Sequence, residues 1–292
     1  MAFGVPMNSI CYECQLRKKL ALARNLGTDE QATQFAKRML QGLADVSLDM
    51  DSIRFGAWTE DLLRECYPVG PDRLKEEKDF SNRFAMERLP KIYEKVEAAE
   101  DPLYAALQYA VMGNYIDFSA LQGEVDYESL DRMLDEAANL NLDKVAYARF
   151  CRELEAGKKF LYLTDNAGEI AFDRVMAEQI HKRYPHVEIT FCVRGKPAYN
   201  DALREDAEFV GIPFTVIDNG TNVGGTPIEQ VGQDCKEALD SADVILAKGM
   251  GNVESMYGCG YNIYYAFLIK CDRFIQVFQK PKLTPMFLPE RQ

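Results

Sequence analysis

The sequence is short of several things that would each have pointed to a function. It has two histidines in 292 residues, too few to favour a zinc centre. No apolar stretch approaches the roughly 20 residues of a membrane-spanning helix. Positive charge is not in excess: 34 Lys and Arg stand against 46 Asp and Glu, a net charge of −12. That balance argues against nucleic acid or an anionic membrane as the main partner, although an anionic small molecule needs only a local cation. The opening MAFGVPMNSICYEC lacks the basic and apolar regions of a secretory leader, so the eight cysteines read as reduced thiols of a cytoplasmic protein. What is present, 47% apolar and 27% charged residues, is the composition of an ordinary globular chain of two domains or one large α/β unit.

The first half reads as helices. Phe35, Met39, Leu40 and Leu43 recur at three- and four-residue spacing, as do Leu103, Leu107 and Val111, and then Leu130, Met133 and Leu134; each set predicts one apolar stripe. Tyr-Pro-Val-Gly-Pro-Asp at 67–72 breaks any helix, and a new one can begin after Asp72. The pattern predicts an all-helical domain over residues 1–155. From Lys158 the texture changes. β-rich runs at Phe160–Thr164, Val187–Val193, Phe214–Ile217, Val244–Ala247 and Phe274–Phe278 alternate with helical stretches, which predicts an α/β domain over 156–292 with a mostly parallel sheet covered on both faces. Ligands of such sheets bind beyond the carboxyl ends of the strands.

Three strand ends carry chemistry. Asp165-Asn166-Ala-Gly168-Glu169 with Asp173 follows the first run, Arg194-Gly195-Lys-Pro197-Ala-Tyr-Asn200-Asp201 the second, and Lys248-Gly249-Met-Gly251-Asn252-Val-Glu254 the fourth. Two carboxylates and a carboxamide are hard oxygen ligands that suit Mg²⁺ or Mn²⁺. Each segment alone also reads as a turn that caps the next helix. Three of them at successive strand ends are harder to explain that way. Cys11-Tyr-Glu-Cys14 is half of a four-cysteine zinc site and reads as structural or accessory. His181 and His186 fall at a polar helix end, while Trp58, Tyr261, Tyr264 and Tyr265 read as core or interface aromatics.

These strand-end strings resemble the signature blocks of the DUF89 family, the metal-dependent damage-control phosphatases, in the prokaryotic branch with an amino-terminal C-x-x-C. Gly113-Asn114-Tyr-Ile-Asp117 and Asp72…Lys78…Ser81-Asn82 resemble two further blocks in the helical half, although Arg73-Leu74 stands where Pro and Tyr are more usual. The resemblance implies a helical amino-terminal domain packed on a Rossmann-like three-layer αβα domain, with one divalent metal (Mg, Mn, Co or Ni). It implies small phosphorylated metabolites, such as sugar phosphates, as substrates. By the same resemblance Asp165, Asn166 and Asp201 are the metal ligands, and Lys248 is the phosphate-binding cation. Asn114, Asp117, Asn252 and Lys78 also fall to the substrate, and Asp165, Glu169, Asp117 and Glu254 to catalysis.

Attack on phosphorus by a water and attack by the Asp165 carboxylate both fit this reading, and only the second leaves a covalent aspartyl-phosphate. Two other functions compete with it. One is an S-adenosylmethionine-dependent carboxyl methyltransferase, which a Rossmann-like sheet can accommodate. The other is a non-enzymatic metal-binding interaction module that uses the C-x-x-C and the acidic surface.

Overall fold

The computed structural model describes residues 3–116, 131–132 and 134–290. Asp117, Leu130 and Met133 lie outside the described residues. Helices come first. They are α1 (Ser9–Leu26), α2 (Asp29–Asp45), α3 (Ser52–Cys66), α4 (Lys75–Glu97), α5 (Pro102–Gly113) and α6 (Lys144–Ala156). Their starts are written in side chains. Asn8, Asp51, Asp101 and Asp143 each accept backbone N–H groups of the first turn, and Thr28 forms a capping box with Gln31. No helix among the described residues is long and apolar enough to cross a membrane.

The second half alternates as the sequence predicts. The elements are β1 (Lys159–Leu163), α7 (Glu169–Arg183), β2 (Glu188–Val193), α8 (Arg204–Phe209), β3 (Thr215–Asp218), α9 (Gln233–Ser241), β4 (Val244–Lys248), α10 (Gly249–Met256), β5 (Ile263–Leu268), α11 (Asp272–Phe278) and β6 (Pro285–Pro289). The sheet order is β3-β2-β1-β4-β5-β6, with β1 to β5 parallel and β6 antiparallel at the edge. Chain connections leave β1 toward β2 on one side, while β4 flanks β1 on the other. The loops after β1 and β4 therefore part around a crevice, which is where α/β sheets hold ligands.

One prediction is corrected here. Phe274–Phe278 is not a strand but lies in α11, where Phe274 and Phe278 are one turn apart, their ring centroids at 5.5 Å, and both contact Phe267. Two strands were not expected: the edge strand β6, bounded by prolines, and β5, buried along its whole length. Its neighbours Tyr264 and Tyr265 point to opposite faces, one into each layer of apolar core.

Those layers explain the sheet's burial. Phe160, Tyr162, Phe191 and Tyr264 pack against α4 to α7 on one face, and Leu161, Leu163, Ile245 and Tyr265 against α9 to α11 on the other. Tyr162 and Phe191 stack with centroids 4.7 Å apart, a pairing that adds about 0.5–1.5 kcal/mol to area burial. A further cluster joins α1, α2 and α3 through Phe35, Met39, Phe55 and Leu63. Leu40, placed on the same stripe by sequence, keeps 52% of its surface exposed, and Trp58, expected inside, keeps 40% while packing on Phe55.

Candidate functional site

The β1 loop is held from several sides. Gly168 takes φ +78°, a conformation that side chains disfavour, and its N–H donates to Asn82 Oδ1 at 2.7 Å. Asn82 in turn donates to Asp206 at 2.6 Å, and Lys78 is ion-paired with Asp72 at 2.5 Å and with Asp206 at 3.7 Å. This network ties α4 to the loop from behind. Lys78 is buried in it and is not on the cavity wall, so its expected contact with substrate is not what the structure shows.

Three predicted ligands are brought together. Asn166 and Asp201 face each other in an antiparallel bridge, and the Ala202 N–H donates to the Asp165 carbonyl at 2.7 Å. Asp165 Oδ2 accepts from Asn166 Nδ2 and from Asn114 Nδ2, each at 2.8 Å. Arg194, buried, donates Nε to Asp201 Oδ2 at 2.6 Å and Nη2 to the Thr164 carbonyl at 3.1 Å. The backbone makes room as well. Gly249 opens α10 at φ +74°, and a Cβ there would lie 1.9 Å from Asp165 Oδ2.

Electrostatics at Asp165 disfavour its charged form. Burial pushes its carboxyl well above the usual carboxylate range, and the charges of Glu169 and Asp201 push it further, with Lys270 and Arg194 opposing. Among the described residues no three His, Cys, Asp or Glu side chains gather as a metal cluster of their own. The donor set is two carboxylates and one carboxamide. That set and its crowded negative charge fit a hard divalent cation.

Behind Asp165 and Asn166 stands a fully buried ion cluster. Lys248 donates to Glu169 Oε1 at 2.5 Å, Asp173 Oδ1 at 2.6 Å and the Ala110 carbonyl at 2.7 Å. Burial alone would lower its ammonium, but Asp173 and Glu169 hold it above the ordinary lysine value. Glu169 Oε2 accepts from Asn114 at 2.9 Å and Asn166 at 2.8 Å. All three Lys248 donors are therefore taken, and the residue is absent from the cavity wall. Its expected role as the phosphate-holding cation does not fit, because a lysine has three N–H groups and no fourth to give. Asn114 and Asn252 are likewise buried off the wall; Asn252 caps carbonyls of Thr164 and Lys248 at 3.2 and 2.7 Å.

The cavity in front has a volume of about 630 Å³, within the range of small-molecule sites. Asp165, Asn166, Asp201 and Glu254 lie on its wall. Glu254 accepts from Ser52 Oγ at 2.9 Å, and burial, aided by Asp51, raises its carboxyl to about 8. The thiols of Cys11, Cys14 and Cys271 also reach this wall, half-buried. His181 and His186 are exposed elsewhere. Sequence reasoning missed Lys270, which follows β5 by two residues and lines the cavity. The strand-end rule that found Asp165 would have found it had β5 been placed.

Comparison with known proteins agrees with the fold. Residues 7–283 match the family described as the damage-control phosphatase ARMT1-like domain. The chain is 31% identical over 282 residues to an uncharacterized protein of Methanocaldococcus jannaschii, covering 92% of this chain and 90% of that one. It is 33% identical over 205 residues to a damage-control phosphatase of Archaeoglobus fulgidus, covering 69% and 70%, and 32% identical over 181 residues to one of Pyrococcus horikoshii, covering 61% of each. The crystal structure of a DUF89 family protein of Pyrococcus horikoshii superposes with a TM-score of 0.81 at 23% identity, over 98% of this chain and 99% of that one.

Proposed function

Because the chain belongs to the damage-control phosphatase ARMT1-like domain family, we propose that its cavity hydrolyses small phosphorylated metabolites, sugar phosphates or related phosphomonoesters, with one divalent cation. Phosphatase activity follows from that membership; the metal, the substrate and the residue roles are our reading of the cavity. One observation carries it: Asp165, Asn166 and Asp201 converge on the cavity wall at the crevice of the sheet. These three would hold the cation (Mg²⁺, Mn²⁺, Co²⁺ or Ni²⁺), which when bound neutralises charge on the phosphoryl group.

The chain's own residues do the remainder. Lys270, on the wall and close enough to Asp165 to act on its carboxyl, holds a phosphoryl oxygen by a charge-assisted hydrogen bond. Glu254 keeps a proton at neutral pH and gives it to the leaving oxygen. Glu169, Asn114, Lys248 and Asp173 fix the direction of Asp165 and Asn166 and touch no substrate. The test is phosphate release from a panel of phosphate esters with each of the four metals, beside methyl transfer from S-adenosylmethionine. Metal-dependent release supports the reading. Methyl transfer without phosphate release from any ester would overturn it.

A further inference from the structure

The cavity wall reverses the charge of the molecule that contains it. Over the whole chain acidic residues outnumber basic ones, 46 to 34. Along the cavity seven residues are Lys or Arg and five are Asp or Glu. Two of those five, Asp165 and Asp201, are already assigned to a cation. Field lines in a low-dielectric cleft of this kind draw in anions.

Part of that excess is built in rather than loose on the surface. Glu60 of α3 accepts from Lys19 of α1 at 2.6 Å and from Nε and Nη2 of Arg73, both at 3.0 Å. One carboxylate thus serves two cations, and the trio keeps one positive charge (2 − 1). Burial would raise the Glu60 carboxyl, but Arg73 and Lys19 pull it down to about 2, so it stays ionised. Lys19 and Arg73 line the cavity and Glu60 does not. The cations stand between their carboxylate and the cavity.

The surroundings hold them there. Lys19 is only 6% exposed, and its ammonium lies 4.5 Å over the ring of Tyr199, two residues before Asp201. Tyr199 has a left-handed φ of 51°, and its hydroxyl presses on α3, where a Cβ at Gly56 would come within 2.2 Å. Among the described residues Arg73 Nη1 has no acceptor. Glu77, which also acts on Arg73, is exposed at the start of α4 and off the cavity wall.

We propose that Lys19 and Arg73 form a second anion subsite, which takes a carboxylate or a second phosphate on the part of the substrate remote from the phosphoryl group being removed. The preferred substrates are then phosphate esters with two anionic groups. This rests on the phosphatase reading above. The subsite selects by completing a buried charge pair, since an excess buried cation is unfavourable until an anion meets it.

The test uses paired esters and metal-loaded wild-type protein: 3-phosphoglycerate against glycerol 3-phosphate for the carboxylate, and a sugar bisphosphate against its monophosphate for the second phosphate. The expected result is that kcat/KM favours the doubly anionic member of at least one pair about tenfold or more. Arg73→Gln is expected to raise KM for that member and erase the preference, and Arg73→Lys to restore part of it. Equal kcat/KM for both members of both pairs in the wild-type protein would overturn the subsite, with phosphatase activity intact. An equal loss on both members in Arg73→Gln would also overturn it. Release from none of the four esters with any metal would strike the phosphatase reading itself.

Discussion

The ammonium of Lys248 lies 2.5 Å from Glu169 Oε1, and neither side chain has any exposed surface. Asp173 and the Ala110 carbonyl take its other two donors. The lysine therefore belongs to the frame behind Asp165 and Asn166, to which it is linked through Glu169. Lys248→Met removes the cation that is ion-paired with two buried carboxylates. It is expected to lower the unfolding free energy by about 3–5 kcal/mol, read as a lower urea midpoint. A phosphate-holding lysine would instead raise KM and leave the midpoint unchanged.

Gly249 faces Asp165 from the start of α10, with a Cβ position 1.9 Å from Oδ2 and φ of +74°. Gly249→Ala must displace the carboxylate or the loop. Metal affinity measured by calorimetry is expected to fall by about tenfold or more, the scale on which disturbed ligand support acts. Unchanged affinity would mean that Asp165 is not a ligand.

Glu254 gives a pH signature. Its carboxyl is raised to about 8, first by burial and then by Asp51. A proton donor works below that value and fails above it, so kcat is expected to fall as pH rises through about 8. Glu254→Gln should remove this alkaline limb and lower kcat by about 10²-fold or more. An alkaline limb that persists in the variant would assign it to another group.

The Lys19–Glu60–Arg73 cluster gives a stability signature with the opposite sign. Glu60 sits at about 2 in the folded chain against an ordinary 4.5. A depressed carboxyl stabilises the fold above its ordinary value, and that contribution is lost as pH falls from 4.5 through about 2. The difference corresponds to about 3 kcal/mol at neutral pH. Glu60→Gln is expected to lose it, and to show a flatter decline of the urea midpoint over that acid window than the wild type.

Much of this was legible in the sequence, for a physical reason. Asp165, Asn166 and Asp201 follow strands, and the carboxyl ends of parallel strands converge whatever the loops do between them. Four strands were readable from short β-branched and aromatic runs bounded by polar residues. β5 was not, because Ile263–Leu268 is buried on both faces and has no alternation to read. Losing β5 hid Lys270 as well. Lys248 ends β4 and Asn252 follows it, as expected, but their side chains bond to the frame and not to the cavity. Sequence places a residue at a strand end, while only packing decides whether its side chain faces the cavity or the frame. Lys19, Glu60 and Arg73 are spread over 55 positions, two helices and the turn before α4, and no local pattern joins them.

The central claim is that Asp165 and Asp201 hold a divalent cation that phosphate release requires. The most direct measurement is phosphate release by the chelator-stripped protein as Mn²⁺ or Mg²⁺ is added back, for the wild type, Asp165→Asn and Asp201→Asn. The wild type is predicted to regain activity along a saturable metal titration, and both variants to stay at the stripped level with their fold intact. Release that survives stripping, or that returns in the two variants at the wild-type metal concentration, would contradict the account.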